Sequence, residues 1–373
     1  MGWKEVSAMS QRREFIELAL QEGTNMSELC RRFGVSRKTG YKFLARYRDE
    51  GLSGLSDRCR RPLRCPTATD PKTEQMILHL RDRHSSWGGR KLRRYLEQRG
   101  HNVLPSPSTF TAILKRNGYV VPEEARRHRA WQRFEAEQAN DLWQMDFKGH
   151  FPIKGGRCHP LTILDDHSRY AVCIAACSDE QRETVTEHLK RVFRTYGLPW
   201  AMLVDNGPPW GYASYSPYTK LSVWLLRLDI KVIFSRPAHP QTLGKDERFH
   251  RTLKAEVLGS CENTSIPHCQ RQFDSWRTVY NHERPHEALD MHVPATRFQL
   301  STRPFSEKLP HIEYGPDDHV RKVQDGGKIS FKNTEHQVSR AFKGQPVAIR
   351  PTQQDGEFDI YFLNHVIGHI DIR

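Results

Sequence analysis

Residues 141–149 read DLWQMDFKG, followed by CHPLTILDD at 158–166 and RYAVCIAAC at 169–177. Three short apolar runs separated by turn-sized gaps predict three strands of an antiparallel meander. A helix over 179–196 leads to a fourth strand, AMLVD (201–205), and a helical stretch over 218–229 leads to a fifth, KVIFS (231–235). Another helix begins near Lys245, and a longer one runs from about His268 to Asn281. The order β-β-β-α-β-α-β-α is that of an α/β domain built on one mixed sheet.

Outward from this core the patterns change. On the C-terminal side, residues 311–373 are strand-like pieces such as KISF, VAIR and FDIYF broken by DGG and QQDG turns, which predicts a small all-β barrel. On the N-terminal side, QRREFIELALQE (11–22), a short helix over Ser27–Phe33 ending at Gly34, and RKTGYKFLARY capped by Ser36 make a helix-turn-helix pattern. Phe43, Leu44 and Tyr47 face inward there, leaving Arg37, Lys38, Thr39 and Lys42 for DNA. The stretch DRCRRPLRCPTATD (57–70), with Arg58, Arg60, Arg61 and Arg64, suits an extended linker along a phosphate backbone. A second helical unit follows, with helices over 74–84 and 89–98 and a third opened by Ser106 and Pro107; Arg90, Lys91 and Arg94 line its middle helix as further DNA contacts. The expected organisation is a helix-turn-helix domain at 1–56, a basic linker at 57–70, a second helical DNA-binding domain at 71–120, a linker at 121–140, the α/β core at 141–300 and the β-barrel at 311–373.

The charge follows the same division. Of 373 residues, 58 are Lys or Arg and 44 Asp or Glu, a net +14; residues 1–130 hold 27 against 14 and residues 131–373 hold 31 against 30. A basic third joined to a near-neutral remainder is expected where one part grips a polyanion and the other does something else. No apolar run approaches the ~18 residues of a membrane span, so the expected location is the cytoplasm, in association with a bacterial nucleoid. The eight Cys are scattered and without Cys-x-x-Cys pairs, which predicts reduced thiols and argues against structural zinc.

Three acids of the α/β part stand where chemistry rather than packing would place them. Asp146 lies between Met145 and Phe147 in the first strand, where a carboxylate is costly unless a cation or donor meets it. Asp205 closes the fourth strand in LVDNG, at the strand end where α/β ligands bind. Glu247, in HPQTLGKDERFHRTLK, aligns with His250, Arg251 and Lys254 at i+3, i+4 and i+7 on a polar face, whereas Asp246 aligns with Phe249 on the apolar stripe and reads as a first-turn acid favoured by the helix dipole. Converging carboxylates repel unless cations sit among them, and hard oxygens favour Mg²⁺ or Mn²⁺. Two such ions roughly 4 Å apart would serve an in-line phosphoryl displacement. Lys245, Arg251 and Lys254, with Arg248, would contact phosphates nearby. For Asp165 and Asp166 in ILDDHSRY, capping and a contact with Arg169 are expected instead.

NDLWQMDFKG, ILDDHSRY, LVDNG, AHPQTLGKDERFHRTLK, YNHERPHEALDMHVPATRF and RKVQDGGKISF, in this order after FGVSRKTGYKFLARY, resemble the insertion-sequence transposases that share an RNase H-like core with retroviral integrases. The resemblance runs nearly end to end. It implies an RNase H-like mixed-sheet catalytic core, preceded by all-α helix-turn-helix units and followed by a small all-β barrel. It also implies a divalent-metal DDE transposase whose catalytic and metal-holding acids fall on Asp146, Asp205 and Glu247. Element ends and target DNA are the implied partners, together with further copies of the chain. The 41 residues between Asp205 and Glu247 exceed the spacing usual in that superfamily. A retroelement integrase would carry a His/Cys zinc module ahead of the core, which this sequence lacks. The alternative from another class is a DNA-binding regulator with an inert core. For Arg321, Lys322, Lys328 and Lys332, contact with DNA, another subunit or the core all remain open.

Overall fold

The protein is described by a computed structural model over residues 7–58, 68–120, 135–211, 217–235 and 244–373, and folds as two compact units, 1–68 and 69–373. In the first unit, helices α1 (Ala8–Ala19), α2 (Met26–Arg32) and α3 (Arg37–Glu50) start where short polar side chains satisfy the free amides: Ser7 accepts from the Ser10 amide, Asn25 from Ser27 and Glu28, and Ser36 from Thr39. Their apolar faces close on Phe15, Ile16, Leu29, Cys30, Leu44 and Leu55. Gly34 ends α2 with φ +64°, which makes the sharp turn into α3. At Gly40 the helices cross so closely that a Cβ would lie 2.7 Å from Cys30 Sγ and 2.8 Å from Phe15 Cζ.

In the second unit, α4 (Pro71–Arg83), α5 (Gly89–Gln98) and α6 (Pro107–Arg116) enclose Ile77, Trp87, Leu92 and Phe110. This bundle rests on the α/β core. Val279 packs against its apolar cluster, Tyr95 and Arg99 bond Glu283, and the Arg284 guanidinium lies 5.9 Å over the Trp87 ring.

The core sheet comprises β1 (Leu142–Phe147), β2 (Phe151–Ile153), β3 (Gly156–Asp165), β4 (Ala171–Cys177), β5 (Ala201–Val204) and β6 (Lys231–Phe234). The first three long strands form the antiparallel meander; β5 joins β1 in parallel and β6 joins β5 in parallel, giving the mixed sheet. The three-residue β2, which pairs with the start of β3, was too short for the sequence pattern to show. Strand alternation decides which side chains go where. Trp143, Met145, Leu161, Ile163, Met202 and Val204 face α7 (Arg182–Tyr196) and α8 (Lys220–Arg227). The opposite face, including Leu164, Ala171 and Ile174, is covered by α9 (Gly244–Leu253) and α11 (Ile266–His282) through Phe249, Leu253 and Phe273. Between them a π-helical turn, Lys254–Leu258, and the short α10 (Gly259–Cys261) reverse the chain.

The C-terminal region is all β. Strands β7 (His319–Lys322), β10 (Pro346–Pro351), β11 (Glu357–Phe362) and β12 (His365–Asp371) form an antiparallel sheet in the order β12-β11-β10-β7, and β8 (Lys328–Phe331) pairs with β9 (Thr334–Gln337) as a hairpin. Their core of Ile329, Phe342, Val347, Ile360 and Phe362 also takes in Val223 and Leu226 from α8. Helix α8 is thus buried on two sides, with Leu221 and Leu225 in the sheet's core. It takes up eight residues of the Asp205–Glu247 interval. Among the described residues no helix is long and apolar enough to cross a membrane.

Gly40→Ala should overpack the α2–α3 crossing and cost about 1–3 kcal/mol in the first unit, read as a lower chemical-denaturation midpoint. An unchanged midpoint would show that the crossing yields.

Candidate active site

The parallel register pairs Leu142 with Ala201, Trp143 with Met202 and Gln144 with Leu203. Continued by two residues, it sets Asp146 beside Asp205 at the carboxyl ends of neighbouring strands, whose spacing is about 4.8 Å. Both side chains fall on the α9 face, because Met145 and Val204 point the other way. Asp205 Oδ1 accepts the Gly207 amide at 3.1 Å, and a Cβ on Gly207 would stand 3.3 Å from Oδ2, close enough to press on the carboxylate. Burial, then the charge of Asp205, pushes the Asp146 carboxyl up to about 6. Burial likewise raises Asp205, and nearby Glu180 adds to it.

Helix α9 brings a second group of residues to this edge. Asp246 is 1% exposed, beneath Phe249 on the apolar stripe, and neither carboxylate oxygen has a hydrogen-bond partner among the described residues. Burial, with the charges of Asp146 and Asp166 next, raises it far above the usual carboxylate range. The helix-terminus field expected to favour its ionised form is outweighed by the loss of water. Glu247 is exposed in the first turn of α9. One turn further along the same face, buried His250 places Nδ1 3.8 Å from Asp146 Oδ2 and Nε2 2.7 Å from Thr162 Oγ1, and Thr162 donates to the Asp146 carbonyl at 3.0 Å. Burial, then Lys148, drives His250 down to about 3, so its ring is neutral. Asp146 and Asp205 are therefore brought together, while Glu247 lies on the exposed side of α9. Among the described residues no three His, Cys, Asp or Glu side chains converge tightly enough to hold an ion.

Other acids of the quoted motifs have structural partners. Asp165 accepts from the Asn140 amide at 2.8 Å and from the Ser168 amide at 2.8 Å. Asp166 accepts from the Ala136 amide at 2.7 Å and the Gln144 amide group at 2.6 Å, and Arg169 lies 3.9 Å away. Within YNHERPH, Asn281 clamps β4 through both the amide and the carbonyl of Ala171, Tyr280 sets its ring edge-on to Phe249 at 5.0 Å, and Arg284 pairs with Glu256. Burial opposes ionisation of Glu256, but Arg284, Ser86 and Trp276 outweigh it and hold that carboxyl below its usual range. These contacts fix the far end of α9 through the π-helical turn that carries Glu256.

The cations expected on DNA divide by environment. Arg37, Lys38 and Lys42 are exposed on α3, and Thr39 is half-buried with its hydroxyl 2.9 Å from Ser36 Oγ. Arg58 pairs with Glu50, while Arg60, Arg61 and Arg64 lie outside the described residues. Arg90 is exposed on α5, but Arg94 is half-buried beside Glu97. Lys91 is half-buried as well, its ammonium pushed down to about 8 by burial and then by Arg284. Packing of the bundle on the core accounts for Lys91, which its helix alone does not reveal, whereas Arg94 is turned towards Glu97 of its own helix. Lys245 is the clearest departure: its ammonium turns inward to Asp166 Oδ1 at 2.5 Å and is only 18% exposed. Arg251 and Lys254 stay exposed. Thr162 went unnoticed in the sequence, although strand pairing sets it directly opposite Asp146.

The Integrase core domain family matches residues 136–240, and a second Integrase core domain family matches 228–294. The IS481 family transposase C-terminal domain matches 318–373, a helix-turn-helix domain family 11–62 and a homeodomain-like family 39–114. The integrase core matches fall on the mixed-sheet α/β part and the transposase C-terminal match on the all-β region. Relatives of the chain include the insertion element IS476 39.2 kDa protein of Xanthomonas euvesicatoria, 25% identical over 75% of this chain and 80% of that protein. Another is the insertion element IS407 31.7 kDa protein of Burkholderia multivorans, 25% identical over 59% of this chain and 78% of that one. Among solved structures, a chain of the simian T-cell lymphotropic virus intasome complex aligns with 79% of this chain and 96% of its own length, at 15% identity and a TM-score of 0.40.

A carboxyl raised from 3.8 to about 6 in the fold binds its proton more tightly than in the unfolded chain, so its ionisation opposes folding. That penalty is absent below pH 3.8, grows towards pH 6 and is complete above it. Asp146→Asn should therefore stabilise the metal-free protein by roughly 1–3 kcal/mol at pH 7.5 and hardly at all at pH 4. Melting temperatures in chelator at the two pH values measure it; a variant less stable at pH 7.5 would contradict the electrostatic account.

Proposed function

We propose that this chain is a DNA transposase that binds the ends of its mobile element, cuts a strand there and joins the freed 3′-OH to target DNA at a site made by Asp146, Asp205 and Glu247. The observation that carries the reading is the Asp146–Asp205 pair: two hard-oxygen donors side by side at a sheet edge, both with raised carboxyl pKa values and no Lys or Arg paired with either among the described residues. Such a pair suits divalent cations. Asp146, Asp205 and Glu247 would hold two Mg²⁺ or Mn²⁺ ions, whose charge, when bound, favours in-line phosphoryl displacement.

In the cutting step, water oxygen bonds to phosphorus and the P–O3′ bond breaks, the 3′ oxygen leaving with a proton as a hydroxyl. In the joining step that hydroxyl forms the new P–O bond and a 3′ oxygen of the target leaves. Both are oxygen-for-oxygen exchanges at phosphorus, so one site serves both. Asp205 is oriented by the Gly207 amide and Asp146 by strand β1. Glu247 closes the set from the first turn of α9, while Arg251 on that helix and Lys254 at the start of the π-helical turn offer cations to the phosphates alongside. Arg37, Lys38 and Lys42 hold the element end from the first unit. Bringing two ends together calls for more than one copy of the chain.

Asp146→Asn, Asp205→Asn and Glu247→Gln should each lower strand cleavage by at least about 10²–10³-fold with gel-shift binding of element-end DNA unchanged. Full cleavage by Glu247→Gln or Asp146→Asn would remove that residue from the site, and a wild-type chain that binds element ends without cutting them would leave the inert-regulator reading. Arg37→Ala and Lys42→Ala should weaken binding and lower the salt-dependence slope by about one each. An unaltered slope would move the DNA to another face.

A further inference from the structure

The helical bundle and the helix bearing Glu247 meet at the carboxylate of Glu256. Helix α9 runs without a break into the π-helical turn Lys254–Leu258, so Glu256 stands roughly 13 Å beyond Glu247 along one axis. Three donors from three places close on it: the Ser86 hydroxyl from the turn between α4 and α5, the Trp276 indole N–H from α11 at 2.6 Å, and the Arg284 guanidinium from the segment after α11. The Glu256 and Arg284 side chains are 10% and 6% exposed. A second acid, Glu283, accepts from Tyr95 of α5 at 3.2 Å and from Arg99 at the end of that helix at 3.1 Å. Trp87 carries the His84 ring stacked at 3.9 Å and the Arg284 guanidinium over its own ring at 5.9 Å. The contact is thus polar and directional as well as apolar.

We infer that the Glu256 joint holds the bundle at a fixed distance from the Asp146–Asp205 edge and thereby selects which phosphodiester of the element end is cut, with Ser86, Glu256 and Arg284 as positioning residues. The inference rests on the transposase reading above. Ser86 stands three residues before α5, whose exposed Arg90 offers a cation to the duplex. Successive phosphates of one strand lie about 3.4 Å apart along the duplex axis, so a bundle free to slide by that much would hand the active site the neighbouring bond. Apolar contact, as at Val279, is non-directional and tolerates such a slide; hydrogen bonds to a buried carboxylate do not. Nor can Glu256 and Arg284 part cheaply, because each would leave the other as a buried charge without compensation.

The test cleaves a 5′-labelled duplex of the element end, taken from DNA flanking the gene, with the full-length protein in Mg²⁺ and maps the cut to the nucleotide. Loss of folded protein lowers the yield of product but leaves its position alone. The wild type should cut one phosphodiester. Ser86→Asp, an exposed substitution that sets a like charge against Glu256, and Glu256→Gln, which releases Arg284, should spread the cuts to neighbouring phosphodiesters with gel-shift binding unchanged. Ser86→Thr keeps the hydroxyl and should cut where the wild type does. Arg90→Ala should weaken binding and lower its salt-dependence slope by about one. Displaced cuts from either of the first two variants carry the inference. Product confined to the wild-type bond, or absent, in both would overturn this inference alone, as would displaced cuts from Ser86→Thr or an unaltered slope for Arg90→Ala. A wild-type chain that binds the end without cutting it would overturn the cleavage reading and this inference with it.

Discussion

The parallel pairing of β1 with β5 is the constraint on which the site depends. It joins two segments almost sixty residues apart so that Asp146 and Asp205 end neighbouring strands on one face. The pairing holds because Trp143, Met145, Met202 and Val204 are buried together on the other face under α7 and α8. A slip of one residue would exchange the faces and bury the acids among those apolar groups, a far greater penalty than the repulsion they now bear. The apolar alternation therefore pays for an unfavourable pair of charges.

Around that pair the protein separates its carboxylates by the donors it gives them. Asp165, Asp166 and Glu256 are saturated and act as joints: the first two tie residues 136–140 to the sheet, and the third ties the end of the α9 region to Arg284, Trp276 and Ser86. Asp146, Asp205 and Asp246 receive few donors or none and are raised accordingly. Sequence neighbours can serve opposite groups: the helix turns Asp246 towards the apolar stripe, without donors, and Lys245 towards Asp166 as one of its donors.

Much of this was legible in the sequence. Period-two runs located β1, β3, β4 and β5, and the Phe249 stripe correctly put Asp246 inside and Glu247 outside. Three residues of β2 gave no period to detect. Nor could local pattern show that Lys245 has a buried partner seventy-nine residues away, or that Lys91 lies against the core rather than facing outward. These outcomes depend on long-range packing. Thr162 was hidden for a different reason: a threonine in a strand ordinarily signals β propensity, and only the register with Asp146 gives it a chemical meaning.

Helix α8 lends one side to the sheet and the other to the C-terminal strands, through Leu221 and Leu225 in one direction and Val223 and Leu226 in the other. An eight-residue element with two obligations has almost no neutral positions, so the terminal region and the segment after Asp205 must evolve as a matched set. Grafting a foreign tail onto this core would require rewriting α8 as well, which makes the joint a lineage marker as much as a structural one.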